Sequence, residues 1–452
     1  MNELIPEKIK EIYKTVEDAN FEIYFVGGCV RNLLMKIDVV DWDLTTNAKP
    51  EEILKLFKNA YYNNDFGTVG IPLETGVVEI TTYRTEQGFT NKRHPDKVLW
   101  GKTIEEDLER RDFTMNAIAL KLASKNKPTA FQITDPYDGE KDIKTKLIRA
   151  VGNPSERFKE DALRLMRAIR FASQLSFEIE EKTWNEIKND AKLINEISNE
   201  RVRDELMKIM KSNNPTHGIE LLKDSGILQE IIPELIEGVG VSQVRPGRHH
   251  TTDVFTHNLL SLKFCPSTDP IVRFASLLHD IGKPASRGED QEGLVTFYNH
   301  EVYGAKIAYE ICNRLRFSKK DTTRVVNLIR WHMFGVNENQ TDSAIRRFIR
   351  KIGIENVQDM LDIRIADRLG SGRPADSWRL KLFKEKVEEQ LKPAPFSIND
   401  LAIDGNDIMK ELSLKPGPQI GRILQALFDE VDDDQSKNKK ELLINRAKEI
   451  NG

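Results

Sequence analysis

Asp41 and Asp43 stand two residues apart in Val40–Thr46, a run whose residue types predict a strand, so both carboxylates leave the same face. Two carboxylates converging there can hold Mg²⁺, a hard cation that takes oxygen ligands and keeps positions for water and substrate phosphates. Upstream, Gly27-Gly28 closes another β-rich run, and Cys29, Val30 and Arg31 open a predicted helix. That order brings the bare backbone N–H groups at Gly28 and the Arg31 guanidinium to where phosphate oxygens would lie. Each half taken alone is also what a turn or a solvated strand edge presents.

A second set of residues has the chemistry of base selection. Arg164, Arg167 and Arg170 recur every three residues, and Asp161 lies one turn before Arg164. The spacing predicts an acid and several guanidinium groups on one side of a helix. An aspartate accepts from an exocyclic amino group while an arginine donates to ring acceptors, a pairing that fits cytosine and adenine. The alternative is a salt-bridge ladder on a solvated face.

A third set is rich in imidazole. His257, His279, Asp280, His300, His332 and Asp367 follow in order through a helical block, and six of the chain's eight histidines fall between His249 and His332. Imidazole mixed with carboxylate suits Ni²⁺, Mn²⁺, Fe²⁺, Co²⁺ or Zn²⁺, and a water bound to such an ion is a nucleophile for phosphoesters. A lone helical histidine is more often a satisfied core or surface residue; clustering is what singles these out. His249 and His250 lie beside Arg245 and Arg248 in a linker and stay outside the ligand set.

Taken jointly, the strand, Gly27-Gly28-x-x-Arg31, the helix and Asp41-Trp42-Asp43-Leu44-Thr45-Thr46 resemble the polymerase-β-type nucleotidyltransferase head. Further segments extend the likeness to the class II tRNA nucleotidyltransferase and bacterial poly(A) polymerase family. Arg110-Arg111-Asp112-Phe113-Thr114-Met115-Asn116-Ala117 is similar to its Arg-Arg-Asp-Phe-Thr-x-Asn-Ala segment, and Glu160-Asp161-x-x-Arg164 with Arg167-x-x-Arg170-Phe171-Ala172 to its base-reading helix. The likeness runs almost unbroken from Phe25 to about Met210. It implies CCA addition to tRNA from CTP and ATP with Mg²⁺ on Asp41 and Asp43. Gly28, Arg31 and Arg111 would then face the nucleotide, and Glu79 would be a further carboxylate. Asp161, Arg164, Arg167 and Arg170 would line the base.

Arg93-His94-Pro95-Asp96-Lys97-Val98 resembles the flexible loop of CCA-adding members, and Asn63-Asn64-Asp65-Phe66-Gly67-Thr68-Val69 resembles the tRNA enzymes more than the poly(A) polymerases. The histidine set resembles the HD phosphohydrolase superfamily, including its form with ligands for two metals, and implies 2′,3′-cyclic phosphodiesterase or phosphatase activity. A poly(A) polymerase, an enzyme adding only the terminal A, and an HD hydrolase with a nucleotide-sensing head are the alternatives.

The elements that must position these groups form a mostly helical, modular chain. Residues 1–150 alternate β-rich runs (Phe21–Gly28, Val40–Thr46, Thr68–Glu74, Val77–Arg84) with helical ones (Glu51–Ala60, Met115–Ala123), predicting an α/β head with a small mixed sheet. Residues 151–240 predict an all-α neck and body, 245–391 an all-α HD domain, and 392–452 a helical tail, with linkers at Gly238–Thr251 and Lys392–Phe396. Arg201, Arg203, Lys208 and Lys211, and the helix start at Pro416-Gly417-Pro418, are candidate RNA contacts or plain solvated features.

A chain of 452 residues exceeds one ordinary core. The formal net charge of −4 argues against coating nucleic acid by bulk attraction. Three scattered cysteines fit a reducing compartment, and a mean hydropathy of −0.49 with no long apolar run predicts a cytoplasmic protein without a membrane partner.

Overall fold

Four consecutive residues, Ile23–Val26 (β1), are buried in the computed structural model, and they form an inner strand of a seven-stranded mixed sheet. The structure describes residues 4–62, 67–74, 76–87, 97–122, 131–244, 252–334, 341–375, 377–391 and 397–451. The chain divides into two units, the first comprising Met1–Arg330 with Ala366–Arg373 and the second Trp331–Ile365 with Pro374–Gly452. Among the described residues no helix is long and apolar enough to cross a membrane.

In the first unit β1 pairs antiparallel with β2 (Trp42–Thr46), and β2 runs parallel to β5 (Gly76–Thr82), which sets Asp43 opposite Glu79. Beyond β5 lie β4 (Thr68–Leu73) and the edge strand β3 (Tyr61–Tyr62). Helix α1 (Glu7–Asp18) buries Ile9, Ile12, Tyr13 and Val16, the stripe expected of one face at helical spacing. Tyr13 stacks on Phe25 at 5.3 Å between centroids, and Trp42 meets Phe25 edge-on at 5.7 Å. With Trp42 committed to this core, strand alternation turns its neighbours Asp41 and Asp43 to the other face. Gly27, with φ at 72°, turns the chain from β1 into helix α2 (Gly28–Met35) in a conformation that suits glycine.

Of Met115–Ala123, predicted helical, the described residues to Leu122 hold a short 3₁₀ turn at Thr114–Asn116 and a strand at Ala119–Lys121 that pairs with β1 on the side away from β2. Ile118, Ala119 and Leu120 are all buried, and an apolar run of this length has no period that separates a strand enclosed on both faces from a buried helix.

The segment Arg110–Asn116 enters that strand under tight restraint. The Thr114 N–H donates to the Arg149 carbonyl and its hydroxyl to Asp142, whose carboxylate also takes Arg149 at 2.6 Å. Gly139 packs so closely that an added Cβ would stand 2.2 Å from the Thr114 carbonyl oxygen and 2.8 Å from Ile118.

Helices α3 (Pro50–Leu56), α4 (Ile104–Glu109) and α5 (Gly139–Thr145) complete the head, and a hairpin of Arg84–Gln87 with Lys97–Trp100 leads into α4. Next come α6 (Pro154–Glu160), α7 (Leu163–Leu175), α8 (Glu181–Asn189) and α9 (Asn199–Lys211), with α7 packed on α9. The histidine block uses the helices Val254–Lys263, Pro270–Leu278 and His300–Arg314.

The second unit is helical. Its core gathers Leu401, Ile403, Ile408, Ile423, Leu427, Phe428 and Leu443, while Phe334, Phe348 and Phe383 form an aromatic triangle. Asp432 is buried and paired with Arg346 at 2.7 Å and Arg350 at 2.6 Å.

Gly139→Ala should lower the denaturant-unfolding stability of the first unit by about 1–3 kcal/mol, because the neighbour to be displaced is backbone. Gly421→Ala, in a helix where nothing lies within 4 Å, should leave stability unchanged or raise it by up to ~1 kcal/mol in the same measurement.

Candidate active site

Asp43 is half-buried on β2 and Asp41 is exposed just before it. Burial raises the Asp43 pKa above the usual carboxylate value; Arg111 opposes that shift, and Asp41 adds to it. A carboxylate so placed favours a cation that would let it ionise. Glu79 faces Asp43 across the β2/β5 ladder, as register partners do. Among the described residues, however, the compact groups of three metal-ligating side chains lie in the histidine block and not here.

Gly27 forms the floor of this corner. A Cβ on it would lie 3.0 Å from Arg111 Nη1 and 3.5 Å from Asp43 Oδ2, so glycine is what lets the guanidinium and the acid approach over bare backbone. Arg111 Nη2 donates to Asp107 Oδ2 at 3.0 Å, while Gly28 starts α2 beside the Arg31 side chain.

Arg31 takes a different place from the one its position after Gly28 predicts. Its side chain is buried and turns inward, donating from Nη1 to Asn116 at 2.8 Å and resting 5.1 Å from the Phe171 ring centroid. Burial, helped by nearby Arg170, brings its pKa down to about 10. Arg170 and Arg167 lie over the same ring at 4.0 and 5.6 Å. The three cations are balanced by Asp112, which Arg167 grips at 2.6 and 2.8 Å, and by buried Glu205, 2.7 Å from Arg170. Burial alone would raise the Asp112 pKa, but Arg167 and the Asn116 amide outweigh it and hold the carboxyl well below its usual range.

The acid and guanidinium groups predicted to share one side of a helix are separated by a joint. Helix α6 ends at Glu160, Asp161 is extended, and α7 begins at Leu163. Arg164 therefore pairs with Glu160, at 2.6 Å, and its Nη2 donates to the Arg110 carbonyl at 2.8 Å. Asp161 is held from across the neck by both terminal nitrogens of Arg201, at 3.1 and 2.7 Å. Arg201 is thus engaged internally, as are Lys208, on Glu205, and Arg203, on Asp204 and the Arg316 carbonyl. The positions 63–66, 93–96, 249 and 250 lie outside the described residues.

The histidine block converges at a second place in the first unit. His257 Nε2 is 3.2 Å from His279 Nε2, and 3.3 Å from both Asp280 Oδ2 and Asp367 Oδ1. His300 Nε2 is 3.2 Å from Asp280 Oδ1. His279 and His300 each use Nδ1 on a backbone carbonyl, of Ser276 and Phe297, which aims Nε2 inward as second-sphere anchoring of metal ligands does. Burial opposes protonation of His257, but Asp280 and Asp367 bring its pKa up to about 9. Two imidazole nitrogens and two carboxylates aimed at one point fit a borderline divalent cation. His332 is buried and belongs to the second unit.

Close packing shapes the loop that carries Asp280. A Cβ on Gly282 would meet the His300 carbonyl at 2.1 Å, so the loop lies directly on the start of the helix His300–Arg314.

The poly A polymerase head domain model matches residues 23–149, the "Probable RNA and SrmB-binding site of polymerase A" residues 176–238, and tRNA nucleotidyltransferase domain 2 residues 294–447. The CCA-adding enzyme of Ligilactobacillus salivarius is 33% identical, with 99% of this chain and 98% of that relative covered. The chain belongs to the CCA-adding enzyme family. Another member, from Lactobacillus helveticus, is 38% identical over 65% of this chain and 71% of its own length. The solved CCA-adding enzyme of Bacillus stearothermophilus in complex with CTP superposes with a TM-score of 0.70 at 25% identity, covering 98% of this chain and 96% of that one.

For this CCA-adding family member, sequence reasoning overlooked Asp107 and Glu205, gave no role to Asp112 and Asn116, and did not pair Arg201 with Asp161. Asp107 was within reach, since it precedes Arg110 and Arg111 by three and four residues. The partners Asp161–Arg201 and Arg170–Glu205 join residues about 40 positions apart, where no local period applies.

Gly27→Ala should reduce nucleotide incorporation at least about ten-fold, through a backbone strained by roughly 1–3 kcal/mol and a displaced Arg111. Binding of tRNA measured without nucleotide should be unaffected.

Proposed function

We propose that the chain builds CCA on the 3′ end of tRNA from CTP and ATP, without a nucleic-acid template, in the cytoplasm. Asp41 and Asp43 would hold Mg²⁺, with Glu79 beside them; the metal supplies neutralisation of phosphate charge. The RNA 3′-hydroxyl attacks the α-phosphate of the incoming nucleotide, a new phosphodiester oxygen bond forms, and pyrophosphate leaves. Gly28 and Arg111 line the phosphate side. Asp161 accepts from the exocyclic amino group of C or A, and Arg164 donates to the base's acceptors. Arg31, Arg167 and Arg170 set the wall behind the base through Phe171.

One observation carries this reading: the segment Arg110–Asp112 touches both halves. Its Arg111 guanidinium reaches the Gly27–Asp43 corner, its Arg110 carbonyl holds Arg164, and its Asp112 holds Arg167. Offered a tRNA lacking CCA, the protein should add C from CTP alone, nothing from ATP alone, and the complete triplet from both. Product lengths at single-nucleotide resolution report this, and failure to incorporate C, or a growing run of A, would remove the assignment.

The chain parses in this reading into a head (1–150), a neck and body (151–240), an HD domain (245–391) and a tail (392–452) that contacts tRNA. His257, His279, Asp280, His300 and Asp367 would hold Ni²⁺, Mn²⁺, Fe²⁺, Co²⁺ or Zn²⁺ for 2′,3′-cyclic phosphodiesterase or phosphatase chemistry. The convergence of His257, His279, Asp280, His300 and Asp367 supports it.

Asp41→Ala should abolish incorporation while hydrolysis of 2′,3′-cAMP by Ni²⁺- or Mn²⁺-loaded protein persists. His279→Ala should lose both bound metal and hydrolysis. Absent hydrolysis by the unmodified metal-loaded protein, together with unchanged metal content in His279→Ala, would refute the second activity.

A further inference from the structure

Helix α4 carries Asp107 into the head between Ile104 and Leu108, which belong to an apolar cluster with Tyr24 and Tyr83. Its carboxylate is fully buried. A charge in such surroundings is costly unless its lone pairs are met, and arginines meet them here. Oδ1 accepts from Arg110 Nε at 3.0 Å and Nη2 at 2.6 Å, and Oδ2 accepts from Arg111 Nη2 at 3.0 Å.

The Arg111 guanidinium is therefore pinned by one nitrogen. Nη1 faces the bare backbone of Gly27, on the side where Asp43 lies, and the buried Nε has no hydrogen-bond partner. Arg111 is also the strongest positive influence on Asp43. Without the anchor, this arginine would be drawn onto Asp43 as a direct ion pair, taking the carboxylate from its cation and its own N–H groups from a ligand.

We propose that Asp107 is a positioning residue for the incoming nucleotide: it holds Arg111 beside Asp43 with N–H groups directed at the triphosphate, and acts only through that arginine. The inference rests on the reading of Arg111 as a phosphate ligand. Because triphosphate is common to both substrates, the effect should be blind to the base.

The test is equilibrium binding of CTP and of ATP with Mg²⁺ to the full chain in the absence of RNA, followed by titration calorimetry, where no turnover occurs. Asp107→Asn should weaken both nucleotides by the same factor, about ten-fold, the size expected for one hydrogen bond to a charged group. It should also raise the Mg²⁺ concentration needed for half-maximal incorporation and leave tRNA affinity unchanged, a pattern that general loosening of the head would not give. Asp107→Glu, which keeps the charge, should bind CTP better than Asp107→Asn.

The deciding comparison is a double-mutant cycle: Asp107→Asn with Arg111→Ala should bind nucleotide no more weakly than Arg111→Ala alone. Multiplying effects would overturn the proposal. If Arg111→Ala by itself leaves nucleotide binding intact, the phosphate role of Arg111 fails and the proposal with it. Should Asp107→Asn fail to fold in a thermal scan, the cycle is run with Asp107→Glu, whose longer arm displaces Arg111, with the same two outcomes.

Discussion

The first unit is organised around the capture of Asp112 by Arg167. A buried carboxylate at the end of one segment takes two nitrogens from the guanidinium of a helix 55 positions later, and the contact fixes head and neck as neighbours. Losing one partner of a buried ion pair typically costs about 3–5 kcal/mol, because the other charge is left stranded. Around it the restraints multiply: Asn116 bridges Asp112 and Arg31, Phe171 stacks under three guanidinium groups, and Glu205 of α9 closes the charge balance from behind. The surface that would meet a base is thus the outer layer of a wall whose inner layers are already fixed.

That construction explains which parts of the molecule could be read from its sequence. The Asp41/Asp43 pair, the Gly27 turn and the strands β1, β2 and β5 follow from alternation and glycine chemistry, which are local. The histidine set was legible because its ligands are few, unusual and clustered, although nothing in their spacing says that His279 and His300 each lean on a carbonyl three residues earlier.

What stayed hidden is long-range. Arg201 reaches Asp161, 40 positions away, and Arg203 reaches the Arg316 carbonyl, 113 positions away. The single break at Asp161 shifts the partner of Arg164 from that residue to Glu160. Met115–Ala123 misled for a different reason: both faces of its strand are enclosed, so the polar alternation that marks an ordinary strand is missing.

Helix α9 is held at both ends by arginine. At its start Arg201 grips Asp161, and at its end Arg273 donates to the carbonyls of Met210 and Ser212 at 2.8 and 2.9 Å. Arg273 sits on the helix Pro270–Leu278, whose next residues are His279 and Asp280. A rod of thirteen residues, roughly 20 Å long, therefore runs from the carboxylate of Asp161 to the helix that leads into His279 and Asp280. An insertion or kink anywhere along it would shift Asp161 and the His279–Asp280 loop relative to one another, so a single helix length sets the spacing of both.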